Sequence, residues 1–171
     1  MKKSLFAIAL LLVFAAAASA QVNSNIQATT LKAISPAYIS LQPTNSPTIT
    51  FNFTPGTNNA NADQKPGVSM AYNLKNSTVT VCAYLAGDLV GTDGGGVIAP
   101  GSLNAILPSG TVQFTKTCAG NSNAITVDTI HNATQASGVS ESFWLFLAVP
   151  GNFPPAPDTY TGTMNIVAQA L

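Results

Sequence analysis

The stretch STVTVCAYL, residues 77–85, sets the fold class of this chain. Apolar side chains alternate there with threonine, cysteine and tyrosine, and this period of two is typical of a β-strand with one buried face. Cys82 falls on the face opposite Val79 and Val81. Because successive side chains of a strand point to opposite faces, we expect any disulfide partner of Cys82 to approach from the side away from the valines.

The same period recurs along the chain. PTITFNFTP (47–55) alternates Ile49, Phe51 and Phe53 with polar residues between flanking prolines, which indicates a half-buried strand. SFWLFLAV (142–149) is apolar at both parities, which indicates a central strand covered on both faces. Further strands are expected at residues 24–33, 36–41, 68–74, 111–116 and 124–130.

Stretches rich in Gly, Pro and Asn separate these strands and predict turns. No long stretch after residue 20 has helical spacing. Many short strands without crossover helices favour an all-β fold, an antiparallel β-sandwich, with a barrel as the alternative. The predicted turns are residues 54–67, 86–96, 99–110, 118–123 and 150–158.

The first twenty residues, MKKSLFAIALLLVFAAAASA, predict a secretory signal peptide cleaved after Ala20. Its apolar run, Leu5 to Ala18, is shorter than the roughly 20 residues that span a bilayer. We therefore expect residues 21–171 to form one β-sandwich domain with no membrane span, secreted, periplasmic or on the cell surface.

The predicted mature chain has very little charge. It keeps four lysines, no arginine and six acidic residues, a net charge of 4 − 6 = −2. Too few cations remain to form a phosphate-binding patch, so we expect neither nucleic acid nor an anionic membrane as a partner. Charged residues make up 7% of the chain, against about a quarter in ordinary domains, and Thr, Ser and Asn supply the polar surface instead.

Cys82 and Cys118 are the two cysteines of the chain. In an exported protein an intramolecular disulfide is the expected state of such a pair. A metal or redox site would need further ligands or a C-x-x-C motif, and the single His131 does not complete a tetrahedral site. We expect no metal and no cofactor.

The sequence has no catalytic motif of the G-x-S-x-G, P-loop or H-E-x-x-H type. His131 is expected to be an exposed histidine at a strand end or turn. Asp88 and Asp93 lie in GDLVGTDGGG, whose alternate positions lack calcium ligands, so a glycine-rich hairpin is the better interpretation. We expect that the protein is not an enzyme. A hydrolase that uses Asp128 and Glu141 as an acid pair is a third hypothesis.

The aromatic residues raise the alternative of a secreted carbohydrate- or ligand-binding module. Trp144, beside Phe143 and Phe146, could form a platform for a sugar ring, but its strongly apolar strand favours a place in the core. The binding site of such a module is expected near the loops at 86–96 or 150–158. Tyr38, Tyr72 and Phe153 are the aromatic residues expected to be exposed.

The chain ends in DTYTGTMNIVAQAL, residues 158–171, an alternating stretch that predicts a long terminal strand. Residues 21–33 form an extended segment with a modest apolar stripe, and they could pair with this strand from the same chain or from a neighbour. The candidate strand-pairing residues are Val22, Ile26, Ala28, Tyr160, Met164 and Ile166.

Residues Thr159 to Thr163, TYTGT, followed by alternating apolar residues, resemble the closing strand of secreted bacterial spore-coat-U-like and fimbrial-type proteins. The resemblance implies an immunoglobulin-like sandwich used as a building block of a surface structure. In such subunits a neighbour's N-terminal extension supplies a missing strand, a role that would fall to residues 21–33 here. Alternatively, residues 21–33 form the first strand of their own domain.

The leading hypothesis is therefore an exported structural or adhesive surface protein, a pilus- or coat-type subunit that assembles by β-strand pairing with its own copies or related subunits. The carbohydrate- or ligand-binding module is the alternative.

Overall fold

The computed structural model describes residues 32–45, 48–54, 56–151 and 155–171, and these residues form an all-β sandwich of antiparallel strands with one short 3₁₀ helix, Pro100–Ser102. Residues 35–171 cluster as one unit, and residues 32–34 belong to a separate N-terminal unit. The strands are β1 (Tyr38–Pro43), β2 (Asn59–Asn61), β3 (Gly67–Leu85), β4 (Leu89–Gly91), β5 (Val97–Ile98), β6 (Leu103–Leu107), β7 (Gly110–Gln113), β8 (Lys116–Cys118), β9 (Asn121–Ser142), β10 (Trp144–Ala148), β11 (Tyr160–Thr161) and β12 (Met164–Ala170).

The strands form three sheets. The first has the order β1-β3-β9-β8, with β12 also paired to β3. The second has the order β2-β10-β6-β7, and the third is the small sheet β11-β4-β5. β1 and β12 pair with different halves of β3, residues 68–73 and 79–85, and both run antiparallel to it.

The long ribbon of β3 and β9 is bent in the middle and contributes to two layers. Met70 and Val79 of β3 belong to one buried cluster, although nine residues of straight strand would span roughly 30 Å. The bend coincides with register shifts and with Asn76 and Asn132, whose φ angles are +53° and +55°. Asparagine is one of the few residues that tolerates this left-handed region, so the two asparagines allow the ribbon to fold over.

Two apolar clusters fill the sandwich. The larger cluster surrounds Phe114, which is fully buried. It packs the end of β3 and the start of β9 against β6 and β10. The smaller lies inside the bent ribbon and contains Met70, Tyr72, Val79 and Val81. Ile166 of β12 packs against both clusters, so the last strand joins the two parts of the core.

Cys82 and Cys118 form the predicted disulfide, with 5.9 Å between their Cα atoms. The bond lies in a third buried cluster that does not include Val79 or Val81. The alternation of side chains along the strand predicts this separation. It connects β3 to β8 across β9, and Ala124 of β9 is fully buried beside it. A small side chain is therefore required at position 124.

The strand predictions were right in parity and less accurate in extent. Ile49, Phe51 and Phe53 are half-buried between exposed residues, as predicted, but residues 48–54 make only one bridge, Phe51 to Ala62. The predicted strands at 68–74 and 77–85 are one strand, β3. β9 continues past the predicted end at residue 130 to Ser142, and His131 lies exposed within it rather than in a turn.

The predicted turn at 99–110 is wrong in its centre. Residues 103–107 form β6, an inner strand of the second sheet, with Leu103, Ala105 and Leu107 buried. The strand has only five residues and lies between Pro100 and Pro108. The turn signals on both sides of it therefore led to the prediction of a turn. The glycine-rich hairpin predicted at 86–96 is present as β4 and β5.

The terminal stretch is two strands rather than one. β11 pairs with β4, placing Tyr160 opposite Gly91, whereas β12 pairs with β3. The change of partner falls at Gly162, whose Cα lies so close to Leu89 that an added Cβ would sit 3.1 Å from the leucine side chain. No helix in the described ranges has the length and hydrophobicity needed to cross a membrane.

Candidate functional site

β12 is hydrogen-bonded to β3 along one side. Leu171 and Thr78 exchange both main-chain hydrogen bonds, at 3.0 and 3.2 Å between nitrogen and oxygen, and Ala86 N–H donates to Thr163 C=O at 2.9 Å. In an antiparallel pair, hydrogen-bonded and non-hydrogen-bonded residues alternate. The residues of β12 whose N–H and C=O point away from β3 are therefore Met164, Ile166, Ala168 and Ala170.

This outer side of β12 has no strand partner among the described residues. An unpaired strand edge is a template for another strand, and proteins usually protect it with charge, proline, bulges or short length. β12 has seven residues in unbroken register, and its sequence, MNIVAQA, contains no charge, proline or glycine. β12 therefore lacks these protective features and is an unprotected edge in this sense, although β1 lies close to it without pairing with it.

The other outer strands, including β9 beyond Ala124 where β8 no longer pairs with it, are protected in one of these ways. β9 has register shifts against β3 and carries the charges of Asp128 and Glu141. β8 has three residues, begins with Lys116 and ends in the disulfide. β2 has three residues and β7 has four. β1 ends at Pro43. β12 is thus the longest regular edge without a protective feature in the described part of the chain.

A groove runs beside this edge. Its volume is about 320 Å³, and its walls come from β1, Ile49, the start of β3 and β12. Leu41 and Ile49 line one side, and Met164 and Ile166 line the other. An added strand at the edge of β12 would find apolar side chains in this groove for its alternate residues.

Two of the candidate strand-pairing residues, Met164 and Ile166, have main-chain groups directed to the open edge, and a pairing role for them stays a prediction. Tyr160 lies elsewhere: its strand pairs with β4, and its hydroxyl donates to the carbonyls of Gly95 and Ala156 at 2.8 and 3.0 Å. The other three residues, Val22, Ile26 and Ala28, lie outside the described residues, as does the predicted signal peptide.

Trp144 is not in the core, contrary to the prediction. β10 is central in its sheet, but only one of its faces is buried: Leu145 and Leu147 point into the core, whereas Trp144 is 45% exposed. Residues at both alternating positions of β10 are therefore apolar, although the described residues leave Trp144 largely uncovered. Three other aromatic residues were predicted to be exposed. Tyr38 is exposed, Tyr72 is buried, and Phe153 lies outside the described residues.

The two acids of the hydrolase hypothesis are neighbours in the structure. Asp128 and Glu141 are both half-buried and close enough to interact electrostatically. Burial raises the pKa of the Glu141 carboxyl, and the nearby negative charge of Asp128 raises it further. The spacing of the two acids in the sequence did not reveal that they are neighbours.

Asp158 organises the glycine-rich hairpin. Its carboxylate accepts hydrogen bonds from the main-chain N–H groups of Thr92, Asp93 and Gly95 at 2.6 to 3.1 Å, and from the Thr92 hydroxyl. Desolvation opposes ionisation of this carboxyl, but the hydrogen bonds outweigh it and lower the pKa of Asp158. A Cβ on Gly95 would lie 2.6 Å from the Asp158 side chain, so glycine is required where the hairpin closes around this carboxylate.

The sequence raised the possibility of a cation site at Asp88 and Asp93 in this hairpin. The hairpin instead binds a carboxylate of its own chain. Among the described residues, no group of three or more His, Cys, Asp or Glu side chains is arranged to hold a metal ion. Comparison of the chain with protein-family models and with curated proteins found no match.

Proposed function

We propose that this protein is a non-enzymatic, exported structural or adhesive subunit that joins a surface assembly through the open edge of β12. The single observation that carries the proposal is the unprotected edge, seven residues in regular register with outward-facing N–H and C=O groups at every second position. Main-chain hydrogen bonds to an added strand would supply affinity, and the groove lined by Ile49 and Ile166 would supply register.

Export is supported by the signal-like residues 1–20 and by the buried disulfide, a bond that persists in oxidising compartments. The added strand is proposed to come from another copy or a related subunit, with residues 21–33 as the segment that supplies it. We also propose that the sandwich has the immunoglobulin-like form that the resemblance implies.

The test is a proline at Ala168. The Ala168 N–H points away from β3, so proline removes a donor from the open edge without removing a hydrogen bond of the β12–β3 ladder. Ala168→Val is the matched control, because it adds side-chain volume at the same site and keeps the N–H. Ala170→Pro is a second variant that removes an outward N–H next to the C-terminal residue.

Light scattering after size-exclusion chromatography of the exported protein should show a ladder of masses spaced by one chain. Ala168→Pro and Ala170→Pro should run as folded monomers, with urea midpoints close to that of the wild type, while Ala168→Val keeps the ladder. A wild-type protein that is monomeric at every concentration would contradict the proposal, and so would a ladder that survives both proline variants.

A further inference from the structure

We infer that the outer face of the second sheet binds a neutral carbohydrate, with a sugar ring stacked on Trp144. The inference is independent of the open edge of β12, which lies on the other sheet.

Two large apolar side chains are exposed side by side in the middle of this face. Trp144 of β10 and Ile106 of β6 are register partners, and they are 45% and 47% exposed. Their strand neighbours Leu145 and Ala105 fill the core. Neither exposed side chain belongs to the buried core, and an indole presented on a sheet offers the apolar, polarisable face on which the C–H groups of a pyranose pack.

The platform is held rigidly. β10 is hydrogen-bonded on both sides, by β2 and by β6. The Lys65 ammonium lies over one face of the Trp144 ring, 5.0 Å from its centroid and within the range of a cation–π interaction, so a sugar ring would stack on the opposite face. An aromatic side chain that is already ordered loses little conformational entropy when a ligand binds to it.

The surroundings of Trp144 fit a sugar in size and in chemistry. A depression of about 290 Å³ adjoins the indole and is lined by Asn61 and Ile106, among others. This volume lies at the lower limit for small-molecule sites and suits one or two rings. Amide and hydroxyl side chains, which both donate and accept hydrogen bonds as sugar hydroxyls require, occupy exposed positions on neighbouring strands: Asn59, Asn61, Thr111 and Gln113.

The same features argue against a protein partner on this face. A stable protein interface covers about 800 Å² on each side and contains a continuous apolar centre. Here the exposed apolar surface consists of Trp144 and Ile106 with half-buried Phe146, and polar residues surround them. A neutral polysaccharide, which needs a narrow apolar strip and flanking hydrogen-bonding groups, is the better occupant.

Affinity electrophoresis of the native protein in gels containing soluble β-glucan, xylan, galactomannan or polygalacturonate tests the inference. Retardation is expected with at least one neutral polysaccharide and not with the anionic polygalacturonate. Trp144 is the single tryptophan of the chain, so titration with the matching oligosaccharide should shift tryptophan emission directly.

Trp144→Ala should weaken binding about thirtyfold, the loss typical of an aromatic anchor. Tyr38→Ala is the matched control, because Tyr38 is 49% exposed on another sheet and its removal should leave binding unchanged. Absence of retardation with every neutral polysaccharide would overturn the inference. So would retardation that Trp144→Ala leaves intact, or a lower oligomeric mass of Trp144→Ala in light scattering, which would make this face a contact between copies. Binding that persists in monomeric Ala168→Pro would separate this site from the assembly edge.

Discussion

Replacing Cys82 and Cys118 together by alanine is expected to lower the free energy of unfolding by about 5 kcal/mol. The two residues are separated by 36 positions, and closing a loop of this length removes roughly 13 cal/mol/K of chain entropy from the unfolded state, or about 4 kcal/mol at 25 °C. Cys82 is fully buried, so the lost sulfur volume adds about 1 kcal/mol. This is a large share of the 5–15 kcal/mol that typically stabilises a domain.

The assay is urea unfolding at pH 7, followed by Trp144 fluorescence and by far-UV circular dichroism. The midpoint of the double variant should fall by about 2.5 M, because slopes for domains of this size are near 2 kcal/mol/M. The slope should also rise, since the unfolded chain without the bond is more expanded. The control is wild-type protein reduced with dithiothreitol, which keeps both sulfur atoms and should lose about 4 kcal/mol.

A loss below about 1 kcal/mol in the reduced protein would refute the reasoning. It would mean that the loop between β3 and β8 is already constrained in the unfolded state, and that packing rather than the covalent bond holds β8 against β9.

Four further predictions concern single positions. Ala124→Leu should destabilise the fold by roughly 1–3 kcal/mol, because Ala124 is fully buried beside the disulfide, and the urea midpoint measures this. Asp158→Asn should lower the melting temperature at neutral pH; since the folded pKa of Asp158 is lowered, its contribution is complete above the ordinary value of 3.8 and is lost below it, so the two melting curves should converge in acid. Glu141 has a raised folded pKa, so its protonated form stabilises the fold and this stability is lost as the pH rises from 4.5 through the raised value; Glu141→Gln should flatten that part of a plot of melting temperature against pH. Mass spectrometry of the exported protein should find a chain that begins at Gln21, and an intact residue 1 would contradict the predicted cleavage.

The period of two was enough to predict the sandwich and the buried faces of residues 48–54 and 77–85, but not those of β10. It placed Cys82 away from Val79 and Val81, and it placed Ile49 and Phe51 toward the core, because alternation depends only on local backbone geometry. The bend of the ribbon was missed, although a weak signal was present. Asn76 and Asn132 are residues that tolerate left-handed φ, yet most asparagines occur in ordinary turns, so the signal does not identify a bend.

The candidate sites were harder to predict for a different reason. Whether the edge of β12 is open depends on which strands lie next to it, and neighbours are set by the topology of the whole chain rather than by local sequence. The same holds for Trp144. An apolar residue on a central strand is buried only if a second layer covers it, and the sequence of β10 contains no information about that layer.

The most direct test of the open edge is hydrogen exchange of the β12 amides, measured residue by residue in monomeric and in assembled protein. In the monomer, the amides of Asn165, Val167 and Gln169 should be protected by β3, while those of Ile166, Ala168 and Ala170 exchange freely. In the assembly all six should be protected. Protection of the outward amides in the monomer would show that the chain covers its own edge, and free exchange of those amides in the assembly would show that subunits join elsewhere; either result would contradict assembly through β12.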